Sequence, residues 1–462
     1  MSDNVSKKDD ALGTAPIGKL IFSLAVPAVV AQVVNVLYNI VDRMYIGHMD
    51  VVGGDALTGL GVCFPILTLI AAFSALIGMG GAPLAAIQMG RKNHDGAEKL
   101  LGNSVTALFI FSILLTIGFQ IYKEPILYAF GASDETIVYA TQYLQIYLWG
   151  TVFVQMALGL NMYISCQGKA KIAMLSTLIG AVTNIVLDPI LIFGFKMGVQ
   201  GAALATIISQ ALSAAWVLYF LLSKKTDLKI RPKYLKPDFK ILGKIMALGV
   251  SPFIMQATES LVFITFNSGL QRYGGDLYVG AMTILSSVMQ LLIVPVTGLT
   301  QGAQPIISYN YGANNPERVK KAFKIILLIS VSVSCIGCLL AVFTPQIFAV
   351  LFTKDEALIA LASKVLPIYM GGIWLFGVQM ACQASFIGMG KAKVSLFLAL
   401  ERKVLLLIPL ALIFPHFWGA IGIFVAEPIA DILAALTTGF LFLRQYRRLD
   451  SEMALSASHP DI

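Results

Sequence analysis

Gly168-Lys169-Ala170-Lys171 recurs as Gly390-Lys391-Ala392-Lys393, each time between two long apolar stretches. Four further features repeat in the same order. The loop at Gly90 carries Asn93 and Glu98, and the loop at Gly312 carries Asn315 and Glu317. Asp134-Glu135 matches Asp355-Glu356, and Gly198 with Gly201 matches Gly419 with Gly422. Ile17-Gly18-Lys19-Leu20 resembles Leu242-Gly243-Lys244-Ile245. Nearly one shift relates four of the five features, so the chain reads as a duplication.

What is duplicated follows from composition. Of 462 residues, 57% are apolar and only 13% charged. A soluble domain carries about 25% charge, so this chain could not cover its surface with polar groups. Disorder needs the reverse balance. The 40 Gly and 18 Pro carry no collagen period, and 5 scattered Cys form no disulfide framework. Twelve apolar segments are each long enough for a bilayer core that takes about 20 helical residues. They run 20–45, 57–82, 101–122, 137–162, 172–194, 200–222, 246–270, 278–300, 323–345, 359–386, 394–415 and 420–443. The expected fold is an all-α polytopic membrane protein of two six-helix bundles, 20–222 and 246–443. A tail at 1–19, a polar linker at 223–245 and a tail at 444–462 complete it. Each bundle has an even number of spans, so both enter the membrane in the same direction. The expected relation is a pseudo-twofold along the membrane normal, with the substrate path between the halves, as in transporters built from parallel repeats.

The net charge of +8 supports the same picture. If the N-terminus is cytoplasmic, 27 of the 33 basic residues lie on the inner side, Lys7 and Lys8 among them. Arg43, Lys123, Lys196, Arg272, Lys354 and Lys364 lie outside. This asymmetry places both termini in the cytoplasm of a cell bounded by a plasma (inner) membrane. Bases spread over alternate loops form no stripe, which argues against nucleic acid as a partner. The first nineteen residues are polar and the following stretch is too long for a cleaved signal.

An ionisable group inside the bilayer is costly, and so marks a functional candidate. Six of 25 acids lie within the segments: Asp42, Asp188, Glu259, Glu401, Glu427 and Asp431. Asp42 and Asp188 sit at similar depth in the outer half of the first bundle. Asn184, four residues before Asp188, shares its helical face. Pro189 frees a backbone carbonyl near Ile185 and bends the helix. With Thr206 and Tyr143 as further oxygens, the set suits Na⁺ or a proton. The competing reading pairs Asp42 with Arg43 at the interface. Glu259 is the one acid deep in the seventh to tenth segments, where it could bind a cation or serve as a helix contact. Glu401 reads as pairing with its neighbours Arg402 and Lys403. Glu427 and Asp431, four apart, share a face that must meet a cavity or a basic partner. The four His (48, 94, 416 and 459) have no ligand spacing, so no resident metal is expected. The glycine run from Gly78 to Gly81 follows no strand and is no nucleotide loop, so no cofactor is expected.

These motifs together resemble the multidrug and toxic compound extrusion (MATE) transporters over essentially the whole chain. The resemblance rests on Asn35, Tyr38, Asp42 and Ile46-Gly47 in the first segment, and on Asn184 and Asp188-Pro189 in the fifth. Gly198, Gly201-Ala202-Ala203 and Ala205-Thr206 opening the sixth also fit, and Arg402-Lys403 before Pro409 resembles the bacterial drug-efflux members. It implies antiport of organic, often cationic, small molecules against H⁺ or Na⁺. It also implies a coupling-ion site of Asp42, Tyr38, Tyr143, Asn184, Asp188 and Thr206. Asn161, Gln256, Glu259, Glu427 and Asp431 become candidates for the substrate cavity or a second ion site. In the tenth segment Gly377 and Gln379 stand where the NorM branch leads one to expect an aspartate. The expected unit is a monomer in the lipid bilayer. Two other classes compete. A lipid flippase would need several buried bases to hold a pyrophosphate. A membrane enzyme would need a metal cluster or an activated nucleophile, and no such constellation is visible, so the chain reads as not an enzyme.

Overall fold

Apolar segments in a bilayer must satisfy their own backbone, and the helix does so within one segment. A computed structural model describes residues 11–47, 49, 53–353 and 355–458, and every regular element among them is helical. Lys7, Lys8, His48, Lys354 and His459 lie outside the described residues. We number the spans α1 (Ile17–Gly47), α2 (Gly53–Gly90), α3 (His94–Ala129), α4 (Thr136–Trp149 with Thr151–Ser165), α5 (Ala170–Gly194) and α6 (Val199–Leu222). The second half gives α7 (Phe239–Gly274), α8 (Asp276–Gly312), α9 (Pro316–Phe343), α10 (Glu356–Gly388), α11 (392–413) and α12 (Ala420–Ser458). Each apolar segment read from sequence falls on one of these.

Two spans are irregular. α4 bends by 60° at Gly150, where a Cβ would sit 2.4 Å from the Ile207 side chain. α11 is α-helical at Ala392–Leu400, widens into a π-helix over Glu401–Leu407 and resumes at Ile408–Ile413. It is the span that fails a test of unbroken apolar length, because its π-helix carries Glu401, Arg402 and Lys403. α12 continues as helix to Ser458, through residues that the sequence suggests as a tail.

The repeated sequence features are turn chemistry. Gly168 and Gly390 have φ of 75° and 71°, a left-handed backbone that a Cβ disfavours. Gly198 and Gly419 enter α6 and α12 at φ of 56° and 57°. Three residues on, Gly201 and Gly422 press on the preceding chain: a Cβ would meet the backbone of Leu191 at 2.8 Å and of Phe414 at 2.6 Å. Asn93 and Asn315 cap α3 and α9, accepting from the N–H of Gly96 at 3.0 Å and of Arg318 at 3.2 Å. One match is only partial. Asp355 caps its helix through Ala357 and Leu358, whereas Ser133 and Thr136 do this work beside Asp134.

The chain forms two compact units. The first is built on Val30–Gln256, with a core that includes Ile66, Ile70, Leu127, Leu144 and Leu148. It includes the start of α7: a Cβ on Gly249 would lie 1.7 Å from the Leu76 carbonyl oxygen, so only glycine fits. The polar linker is strapped to this unit. Gln167 accepts from Thr226 and Asp227, Lys169 pairs with Asp227 at 2.6 Å, and Arg231 with Glu98 at 2.5 Å. The second unit begins at Ala257 and also holds the N-terminal part of α1. There Gly302 and Gly298 leave room for the backbone of Ala25 and Val29. Arg318 donates to the carbonyls of Leu12 at 3.1 Å and Ala15 at 2.8 Å. Its core includes Phe266, Leu285, Leu366 and Phe424.

Candidate functional site

In the first unit, α1, α4, α5 and α6 bring five of the six predicted coupling-site residues into one buried polar cluster. Asp188 is completely buried, Asn184 and Tyr143 nearly so, and Asp42 and Thr206 are buried as well. The carboxyl groups of Asp42 and Asp188 are close enough to interact with each other. The Asn184 amide donates to Asp188 Oδ1 at 3.2 Å and reaches Thr206 Oγ1 at 3.5 Å. Thr206 donates to the Ala202 carbonyl at 3.0 Å, and the Tyr143 hydroxyl approaches Thr206. Tyr38, the sixth residue, is half-buried on the same helix as Asp42, one turn earlier.

Local chemistry explains the arrangement. Asn184 and Asp188 are one turn apart on α5 and so share a face. Pro189 has no N–H to give the Ile185 carbonyl, and the helix continues as a π-turn over Ile190–Gly194. Arg43 is near enough to attract Asp42, but its guanidinium lies over the Phe64 ring, 5.5 Å from the centroid. Among the described residues, Asp42 and Arg43 form no direct ion pair.

The cluster is rich in acceptors and poor in donors. Asp42 Oδ1, Asp188 Oδ2 and Asn184 Oδ1 are buried and receive no hydrogen bond. Buried polar atoms are nearly always satisfied, so three such oxygens in one place need an account. A shared proton or a small hard cation would supply what is lacking.

The second unit has a different cluster. Arg402, on the π-helix of α11, donates through Nε to Asp431 at 2.8 Å and through Nη2 to Glu427 at 3.1 Å. The predicted shared face of Glu427 and Asp431 therefore meets a basic partner. Arg402 also lies over the Phe376 ring, 5.3 Å from its centroid. Lys403 pairs with Glu259 on α7. Glu401 does not pair with its basic neighbours; it turns toward Thr437, and its Oε2 is buried without a partner. Tyr369, fully buried, lies in the field of Glu427 and Asp431. Arg402 and Lys403 were read as features of resemblance, not as site residues. A base deep in an apolar span, about three turns from the start of its helix at Ala392, is the signal available.

Asn161 and Gln256 join neither cluster. Asn161 donates to the Ala173 carbonyl at 3.2 Å, and Ala173 lies about 22 Å along α5 from Asp188 at 1.5 Å per residue. Gln256 is half-buried on α7, one turn before Glu259.

A duplicated bundle of membrane helices with buried ionisable groups defines a transporter-type membrane protein. The sequence model of the MatE family matches residues 27–190 and again 252–413, once in each half, and the chain belongs to that family. It is 26% identical over 426 residues to the multidrug export protein MepA of Staphylococcus aureus strain N315, covering 91% of this chain and 92% of that one. The Staphylococcus haemolyticus MepA is 25% identical, covering 95% and 96%. Among solved structures, a MATE in the bent conformation matches with a TM-score of 0.90 at 25% identity, over 97% of this chain and 99% of that one. An outward-facing multidrug resistance MATE transporter of the MOP superfamily matches at 0.89 and 25%, over 96% and 99%. The protein is a multi-pass membrane protein of a multidrug efflux transporter family.

Proposed function

We propose that this protein exports organic, often cationic, small molecules by antiport against H⁺ or Na⁺, with Asp42 and Asp188 as the coupling pair. The observation that carries the reading is the group of three buried, undonated oxygens on Asp42, Asp188 and Asn184. Loading the pair with a proton or Na⁺ removes the repulsion between two carboxylates and completes the oxygens' bonding. Unloading it restores both. An element whose two states differ in this way lets an ion bias a conformational equilibrium, here the rocking of two bundles between inward and outward access. Asn184 and Thr206 position Asp188, and Tyr38 and Tyr143 close the site with hydroxyl groups. The protein acts as a monomer in a bacterial plasma membrane, both termini cytoplasmic, as the basic asymmetry supports.

A lipid flippase would need buried bases available to a pyrophosphate. Arg402 and Lys403 are instead engaged by Glu427, Asp431 and Glu259. The test is efflux from proteoliposomes under an imposed Na⁺ gradient and, separately, an imposed pH gradient. One gradient should drive efflux in the wild type and fail in Asp42→Asn and in Asp188→Asn. Undiminished efflux in both variants would sink the site.

A further inference from the structure

Glu259 and Lys403 form an unequal pair. The Glu259 side chain is 60% exposed, whereas that of Lys403 is 5% exposed. Glu259 lies in the middle of α7, twenty residues into a span of 36. A carboxylate facing hydrocarbon at that depth is expensive, so its exposed face meets water. Behind Lys403 stands Arg402, whose guanidinium is taken by Asp431 and Glu427. Arg402 is shared by the two acids of α12, which together carry one charge more than it does, and the ammonium of Lys403 pairs with Glu259 while also lying in the field of Glu427. An exposed acid in a drug transporter is a landing point for a cation. This one is already covered from the protein side by a cation of the protein's own.

We propose that Lys403 is a tethered competitor for the Glu259 carboxylate, which a bound organic monocation must displace. The inference rests on the reading of the chain as an exporter of organic cations, and adds the residue that sets their affinity. When a cationic substrate arrives, Glu259 exchanges one ammonium-type partner for another. When it leaves, Lys403 returns and no bare carboxylate is exposed. A competitor on a short tether acts at an effective concentration of about millimolar. If it occupies Glu259 for about nine-tenths of the time, apparent affinity for a cation falls about tenfold. A neutral substrate does not compete for Glu259 and should not sense Lys403.

The test is equilibrium binding to purified protein in detergent with no ion gradient. The probes are tetraphenylphosphonium and an uncharged aromatic compound of similar size. Lys403→Gln should bind tetraphenylphosphonium about tenfold more tightly than wild type, with the neutral probe unchanged. Lys403→Arg should stay near wild type. Adding Glu259→Gln to Lys403→Gln should remove the gain. If Lys403→Gln does not fold, Glu259→Asp withdraws the carboxylate by one methylene while keeping its charge, and should show a smaller gain of the same sign. Unchanged or weaker tetraphenylphosphonium binding in the folded variant would overturn the proposal. So would an equal gain for the neutral probe. Failure of wild type and variants alike to bind tetraphenylphosphonium would overturn the substrate reading with it.

Discussion

The two units answer the same problem, buried carboxylates, in opposite ways. In the first, Asp42 and Asp188 face each other beside an amide and two hydroxyls; Arg43 attracts Asp42 through space, but neither acid is held in an ion pair among the described residues. In the second, Glu427 and Asp431 are clamped by Arg402, and Glu259 by Lys403. A buried charge must be paired or must take up a proton or ion. The second unit carries its counter-charges covalently. On the function proposed above, the first borrows one from solution, which would make it the half able to report an ion gradient. A duplicated scaffold thus holds its acids in two ways, grouped with each other in one half and ion-paired in the other.

The comparison breaks most sharply at the carboxyl pair. Asp188→Asn, measured as gradient-driven efflux in proteoliposomes, should lose at least about 100-fold in rate, because general loss of a coupling charge removes the differential ion binding itself. Asn is isosteric and can still accept from Asn184, so the melting temperature in detergent should shift little. Glu427→Gln, the corresponding change in the second unit, should lower efflux far less. Equal losses in the two variants would erase the division of labour.

Next in size is a stability effect, and it should fall on the other half. Arg402→Met leaves two buried carboxylates without their counter-charge and should cost about 3–5 kcal/mol. Thermal unfolding in detergent would register it. Adding Glu427→Gln and Asp431→Asn should recover most of that loss, since replacing a whole buried ion group is often nearly neutral. A triple variant as unstable as Arg402→Met alone would mean that Arg402 is held for its packing over Phe376.

These expectations depend on how much of each half the sequence discloses. The first unit's cluster is legible because its residues are rare types in an apolar background: Asn184 and Asp188 share one helical face, and Asp42 stands alone. The second is legible only in pieces. Glu427 and Asp431 at i, i+4 imply a basic partner, but naming Arg402 requires knowing how α11 faces α12, and α11 widens into a π-helix where Arg402 lies. Helical periodicity assumes 3.6 residues per turn and fails there. Span boundaries near 239 and 458 were missed for a related reason. Helices outrun their apolar stretches where polar caps and ion pairs carry them on, as with Lys320 and Asp450 at 2.5 Å on the extended end of α12. The linker's ordered path was hidden because its contacts with Gln167, Glu98 and Asn103 join residues distant in sequence.

The cluster's supporting hydroxyl provides a finer probe. Thr206→Val removes an oxygen but keeps the side chain's shape. It should lower apparent affinity for the coupling ion by about tenfold, a single hydrogen bond to a charged site being worth about 1.5 kcal/mol. Efflux at saturating ion concentration should remain. A fall in maximal rate with unchanged ion dependence would remove Thr206 from the site.

The smallest expected effects should be those on which the halves agree. Gly198 and Gly419 adopt φ of 56° and 57°, and a Cβ at either would meet nothing closer than Met49 Sδ at 3.9 Å. The cost of Gly→Ala there is conformational, about 1–3 kcal/mol, without a clash, because ψ of −133° and −146° puts both in a positive-φ region that is essentially reserved for glycine. Because the two turns share backbone and openness, Gly198→Ala and Gly419→Ala should lower stability equally, read as paired melting curves. Matched losses would locate the divergence of the two halves in their interiors, with the duplicated turns still doing the same work. Losses differing by more than about 1 kcal/mol would show that the turns have diverged as well, since strain at the same φ in open space has no other reason to differ.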